Sequence, residues 1–334
     1  MLKNQFIIKL ICLFVAVMLF ATIIEIAGIF KSSAVVSLYI PNGAALDNII
    51  EILDDNSIIG NKLLFKMFAY CNASEFKAGT HEFNNKSYSA IIKELKRNSK
   101  SLDCSVTIPE GYEQREIALL LEKNGLCTAD EFNKEAKIKN FQEYWFLKGI
   151  PERNYQLEGY LFPDTYNFSK EEGVHSIINR MLANFDRKIT DDMKNRASQL
   201  GKTFDEIITM ASIVEREASD PGEYRTVAGV FYNRLDKRTE TNGYLQSCAT
   251  VQYILKERKY VLSVEDTKIK SPYNTYMYPG LPTGPVASPG IETINAALYP
   301  KETKYLYFVA DGKGNHYFGT TLKEHQKNMR KAGY

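Results

Sequence analysis

Residues 203–218 read TFDEIITMASIVEREA. Thr203 followed three positions later by Glu206 is a capping box, in which the hydroxyl takes an N–H of the first turn and the carboxylate reaches back. The apolar spacing then predicts a helix from Phe204 to about Ala218. At about 100° per residue, Ile207, Ile208, Met210, Ala211, Val214 and Ala218 share an arc roughly 160° wide. Glu215 falls inside that arc, between Ala211 and Ile208, and is the only charge there. Glu206, Arg216 and Glu217 fall outside it. A carboxyl group among apolar neighbours loses solvation, which raises its pKa and favours the protonated form that a general acid needs. The plainer alternative is a glutamate at the edge of an apolar face, or one paired with a buried arginine such as Arg234.

Downstream, Asp220-Pro221 closes this helix and opens another through Leu235, proline being suited to a first helical position. Ser271–Gly290 is a loop rich in proline, glycine and tyrosine. Tyr305–Ala310 reads as a strand, Asp311-Gly312-Lys313-Gly314 as its turn, and His316–Phe318 as the hairpin partner. Upstream, Glu171–Phe185 and Asp191–Leu200 carry helical patterning. Further back the chain repeats itself. A strand at Ala34–Ile40, a turn at Pro41-Asn42-Gly43 and helical Leu46, Ile49, Ile50 and Leu53 are echoed by Val106–Ile108, Pro109-Glu110-Gly111 and Ile117, Leu120 and Leu121. A shift of 68 positions superimposes Pro41 on Pro109, Gly43 on Gly111, Ile49 on Ile117, Leu53 on Leu121 and Asn56 on Asn124. A looser echo sets Ala78-Gly79 against Glu158-Gly159. Two related strand-turn-helix units are expected. An amphipathic helix, Ser87–Lys96, closes the first, and the polar stretch Lys96–Lys100 marks a boundary near Ser101.

The 334 residues carry 44% hydrophobic and 25% charged side chains and a formal net charge of +2. These values fit folded domains and supply no field for nucleic acid. Leu10–Ile24 is uncharged, lysines precede it at Lys3 and Lys9, and Lys31 closes the apolar run. Phe6–Phe30 is long enough to cross roughly 30 Å of hydrocarbon as a helix. The leading lysines favour an inside amino terminus, which puts residues 32–334 outside the cytoplasm. A cleaved signal peptide is the rival, but no Ala-x-Ala site follows the run. Outside the anchor lie Cys71, Cys104, Cys127 and Cys248, among which sequence selects no pairing. There is no HExxH, no GxSxG and no phosphate-binding glycine motif, so zinc hydrolysis, a serine elbow and nucleotide chemistry lack support. Asp164 and Glu158, in LEGYLFPDTY (157–166), offer a second carboxylate to Glu215 or simply cap backbone amides.

Several long blocks resemble the endolytic murein transglycosylase family: LEGYLFPDTY (157–166), ITMASIVEREA (208–218), VAGVFYNRL (227–235), LQSCATVQYIL (245–255), SPYNTYMYPGLPTGPVASPG (271–290) and YLYFVADGKGNHYF (305–318). They stand in the family's order and cover the chain from the anchor onward. The resemblance implies an α+β protein with a tail and transmembrane anchor over residues 1–31, a LysM-like subdomain over 32–101 and a catalytic domain over 102–334. It implies cleavage of the β-1,4 bond after N-acetylmuramic acid inside nascent glycan strands, leaving a 1,6-anhydro end, with Glu215 as the catalytic residue and no metal or cofactor. Gln246, Asn274, Tyr276 and Glu158 are the candidate substrate contacts, although bracing the proline-rich loop suits Gln246, Asn274 and Tyr276 equally. Tyr273 and Tyr278 either stack on sugar rings or pack the loop. At Cys248-Ala249 the chain departs from the family, many members having Asp-Pro there, so no acid role carries over to this position. The partners implied are peptidoglycan glycan strands, inner-membrane lipid and peptidoglycan synthases. A non-catalytic glycan-binding scaffold and a hydrolytic muramidase remain as alternatives.

Overall fold

The computed structural model describes residues 35–41, 43–72, 76–83, 87–97, 103–170, 172–236, 238–259, 261–312 and 314–333. The expected anchor and both expected domain boundaries, at 31–32 and 101–102, lie outside these residues. Among the described residues no helix is long and apolar enough to cross a membrane. The architecture is mixed α+β, mostly helical, with three two-stranded sheets. Two compact units result, one holding the residues up to Cys104 with Phe168–Glu172, the other Ser105–Asn167 and Gly173–Tyr334.

In the first unit, strand β1 (Val36–Ile40) leads into helix α1 (Leu46–Asp55), helix α2 (Lys62–Asn72), strand β2 (Gly79–Phe83) and helix α3 (Tyr88–Lys96). β1 and β2 pair antiparallel, Leu38 facing His81. The apolar face of α1, carried by Ile49, Ile50 and Leu53, is buried against this ribbon. Phe65 and Tyr88 meet edge to face at 5.1 Å. Ser87 caps α3 by accepting the Ala90 N–H. Sequence patterning had not singled out α2, whose Leu63, Met67 and Tyr70 stay exposed and blur the helical period.

The strand-turn-helix motif recurs along the chain as strand β3 (Asp103–Thr107), helix α4 (Gln114–Lys123) and helix α5 (Ala129–Glu135), with strand β4 (Thr165–Ser169) pairing to β3. The two copies agree in detail. Gly43 and Gly111 both take φ of +74°, a conformation glycine adopts without a Cβ penalty. Asn56 and Asn124 each end their helix and each donate Nδ2–H to the carbonyl four residues back, both at 2.8 Å. Ile58 and Leu126 then bond back to the carbonyls of Leu53 and Leu121 at 2.8 and 3.1 Å. The second copy is stretched before its closing strand: Gly79 begins β2, whereas Gly159 precedes β4 by six positions.

Helix α6 (Val174–Lys188) starts three residues later than the patterning predicts, behind Gly173. Helix α7 (Asp191–Gln199) is capped by Thr190, and helix α8 (Phe204–Glu217) carries the expected capping box. Thr203 N–H donates to Glu206 Oε2 at 2.8 Å, and Glu206 N–H to Thr203 Oγ1 at 3.2 Å. Helices α9 (Tyr224–Leu235), α10 (Cys248–Leu255) and α11 (Ile291–Leu298) pack around α8. The hairpin of β5 (Tyr307–Ala310) and β6 (His316–Gly319) and a final helix α12 (Leu322–Ala332) follow. One-sided burial of α8 was expected, but every residue from Ile207 to Val214 is buried, Thr209 and Ser212 included. The helix is the axis of its unit, so neighbours cover all its sides.

Packing is close enough to leave no room for a methyl group on α9. Gly229 lies against the carbonyl oxygen of Lys301, and a Cβ there would come within 2.3 Å of it. Gly229→Ala is therefore expected to destabilise the fold by about 2–4 kcal/mol, read as a lowered midpoint in denaturant unfolding.

Candidate active site

Glu215 stands near the carboxyl end of α8, where the helix leaves the core, and its side chain is half-buried. The expected apolar surroundings are replaced by a polar cradle. Glu215 Oε2 accepts the N–H of Gly290 at 2.9 Å and the Thr293 hydroxyl at 2.7 Å. Gly290 is the capping position of α11 and has no side chain with which to cap it, so a carboxylate from α8 occupies the positive end of that helix. The loop ahead of Gly290 is pinned beside it. Val286 N–H donates to Ser212 Oγ at 3.0 Å, Gly111 N–H to the Ser288 carbonyl at 2.8 Å, and Ser288 N–H to the Tyr112 carbonyl at 2.8 Å. Helix, loop and the second copy's turn are thereby fixed to one another around the Glu215 carboxyl.

That turn supplies a group the sequence reading missed. A Cβ on Gly290 would fall 1.9 Å from Glu110 Oε1, so the Glu110 carboxyl rests on the face that glycine leaves open. Partial burial, then the charges of Glu215 and Glu292, raise the Glu110 pKa above the ordinary glutamate value. Tyr224 is raised too, by burial first and then by Glu215 and Glu110. By its sequence alone, Pro109-Glu110-Gly111 is a turn. The available signal was the contrast between copies, an acid at 110 where the first copy has Asn42.

The neighbours of Glu215 along α8 are committed elsewhere. Arg216 Nη1 lies 3.2 Å from Glu113 Oε1, and Glu217 Oε1 accepts the Ser247 hydroxyl at 2.5 Å and the Ala249 N–H at 3.1 Å, securing the start of α10. Arg234 donates to the carbonyls of Leu245 and Leu306, so the expected alternative of an Arg234–Glu215 pair does not form.

The candidate substrate contacts separate. Gln246 is exposed, with its backbone at φ +50° and its N–H bonded to the Thr275 carbonyl. Tyr276 is half-buried, its hydroxyl 3.2 Å from Cys248 Sγ. Asn274 is wholly buried and braces the loop: Nδ2 donates to the carbonyls of Thr267 and Ile269, and Oδ1 accepts the Tyr276 N–H. Glu158, expected among the sugar contacts, is also wholly buried. Its oxygens accept the Gln114 N–H and the Tyr253 hydroxyl, because the glutamine opens α4 and the tyrosine closes over it. Asp164 sits instead with Asn184 and the Thr165 N–H. Tyr273 leans on Tyr253 at 4.9 Å, whereas Tyr278 is 47% exposed. Cys71, Cys127 and Cys248 carry free thiols.

A mixed α+β unit built around a half-buried carboxyl with two aligned donors holds one ionisable group in a fixed, solvent-reachable position. The chain matches the YceG-like family over residues 38–331. It is 32% identical to the endolytic murein transglycosylase of Bacillus subtilis over 319 residues, covering 90% of this chain and 85% of that one. The endolytic murein transglycosylase of Streptococcus pneumoniae is 30% identical over 327 residues, and there the chain covers 58% of the relative's length. The crystal structure of a YceG-like protein from Listeria monocytogenes superimposes with a TM-score of 0.60 at 32% identity, over 89% of this chain and 99% of that one. This chain belongs to the YceG-like family.

Burial, with Glu113 nearby, pushes the Glu158 carboxyl up to about 8. Between the ordinary glutamate range and pH 8 the folded chain keeps a proton that the unfolded chain releases. Stability from this group is therefore lost as pH rises across that window. Wild type is expected to lose on the order of a few kcal/mol between pH 5 and 8 relative to Glu158→Gln, measured by paired unfolding curves.

Proposed function

We propose that this protein is a lytic transglycosylase that cleaves the N-acetylmuramic acid β-1,4 bond within nascent peptidoglycan strands and leaves a 1,6-anhydro end. The cradle around Glu215 is the observation that supports this reading most directly. Two donors on one oxygen fix the carboxyl in position while leaving it half-open to solvent. Protonated Glu215 gives its hydrogen to the leaving glycosidic oxygen. As carboxylate it then takes the proton of the muramic C6 hydroxyl while that oxygen attacks C1. The sugar's own acetamido group can carry the developing positive charge, so one acid–base carboxyl suffices, without cofactor or water. Because the nucleophile is intramolecular, its effective concentration is high.

In the same reading residues 1–31 anchor the chain in the inner membrane, and the rest lies on the outer side of that membrane. The β1-α1-α2-β2 arrangement of the first unit serves as a LysM-like glycan holder, and peptidoglycan synthases at the same membrane are its protein partners. Gln246, Tyr276 and Tyr278 are the members of the candidate contact set open enough to meet sugar.

The deciding experiment is product analysis on polymerised glycan. Anhydro ends are expected; reducing ends would indicate a muramidase, and no cleavage a scaffold. Glu215→Gln should fold and bind glycan but lose about 10²–10⁴-fold in turnover, the range general acid–base catalysis supplies. Glu217→Gln keeps an oxygen for Ser247 and Ala249 and should retain most activity. Equal loss in both variants would refute the assignment of Glu215.

A further inference from the structure

Gly290 lies between two carboxyl groups. Its N–H holds Glu215 Oε2 at 2.9 Å, and the place where any other residue would carry a Cβ is filled by Glu110, with Oε1 1.9 Å and Cδ 2.3 Å from it. Across the same turn, a Cβ on Gly111 would lie 3.6 Å from Glu215 Cγ. Glu110 and Glu215 both keep solvent access, so the two groups front one stretch of surface. Backbone bonds from Gly111 to Ser288 and from Ser288 to Tyr112 hold the turn that carries Glu110 to the loop that carries Gly290. The approach of the two acids is thus fixed by the fold.

We propose that Glu110 is a positioning residue of the reaction centre: from the far side of Gly290 its carboxyl lets the pair retain one proton for the glycosidic oxygen. This rests on the reading of Glu215 given above. A like charge close by disfavours ionisation of a carboxyl group. The raised pKa of Glu110, caused by partial burial and then by Glu215, fits such a pair. Other charged groups face the same place. Glu292 on α11 adds negative charge, as do Asp220 near Tyr224 and the tyrosine itself if ionised. The cations nearby are engaged, Arg216 with Glu113 and Arg258 with Glu116 and the Gly111 carbonyl. During the reaction one proton leaves the pair for the departing O4 as the C1–O4 bond breaks. Muramic O6 bonds C1, and the O6 proton returns to the pair. The balance needs no water and no second reactant.

The test is the pH dependence of turnover on polymerised glycan for the full chain, comparing wild type, Glu110→Gln and Glu215→Gln. Glu110→Gln should lower kcat about ten-fold at neutral pH with KM unchanged, and should move the alkaline limb down by about one pH unit, since the like charge that held the proton is gone. A profile superimposable on wild type at every pH would overturn the proposal and leave Glu215 in place. A lowered melting temperature without movement of the limb would overturn it equally, as a merely structural role. If Glu110→Gln does not fold, Glu110→Ala removes the same charge without touching the Gly290 N–H that holds Glu215, and the same displacement of the limb is required of it. Turnover surviving in Glu215→Gln would instead remove the reading on which the pair depends.

Discussion

A carboxylate from one helix occupying the start of another is the interaction on which the second unit turns. Glu215 closes the end of α11 at the one position, Gly290, where the chain has no side chain of its own to do so. The bond satisfies a backbone donor and sets the acid at a fixed depth. It also demands that α8 and α11 keep their relative placement. The buried flank of α8, continuous from Ile207 to Val214, enforces that placement. A helix covered on all sides has no freedom to roll, and the carboxyl at its last turn inherits that rigidity.

The proline- and glycine-rich loop before Gly290 is irregular without being loose. Asn274 stands near its start, donating to the carbonyls of Thr267 and Ile269 just ahead of the loop and accepting the Tyr276 N–H within it, which is how a buried segment without ladder partners meets its polar requirements. Ser212 and the Gly111–Ser288–Tyr112 bridge attach its far end to α8 and to the turn. The carboxyl is therefore held by a helix, a loop and a repeat unit at once.

Much of the fold was legible because it is local. The Thr203–Glu206 box, the β5–β6 hairpin and the duplicated strand-turn-helix with Asn56 and Asn124 at matching stops are written in neighbouring residues. What sequence could not show depends on distant partners. Glu215 was placed on an apolar arc, but the donors that meet it come from residues 75 and 78 positions away. Glu158 and Asn274 have the polarity of binding residues, yet they spend it on Gln114, Tyr253 and the loop backbone. Glu110 looked like a turn residue because Pro-x-Gly explains it locally, and only the packing of Gly290 reveals its second neighbour. Helices α10 and α11 escaped notice because they are short and buried on several faces, which removes the period that betrays a surface helix.

The duplicated turn has a consequence for how such a centre can arise. The features that build each copy are the left-handed glycine, the paired isoleucines and leucines and the terminal asparagine. None of them is the residue between proline and glycine. That slot differs between the copies, holding Asn42 in one and Glu110 in the other. Chemistry can be written into a spare letter of a structural word while the word itself stays spelled the same.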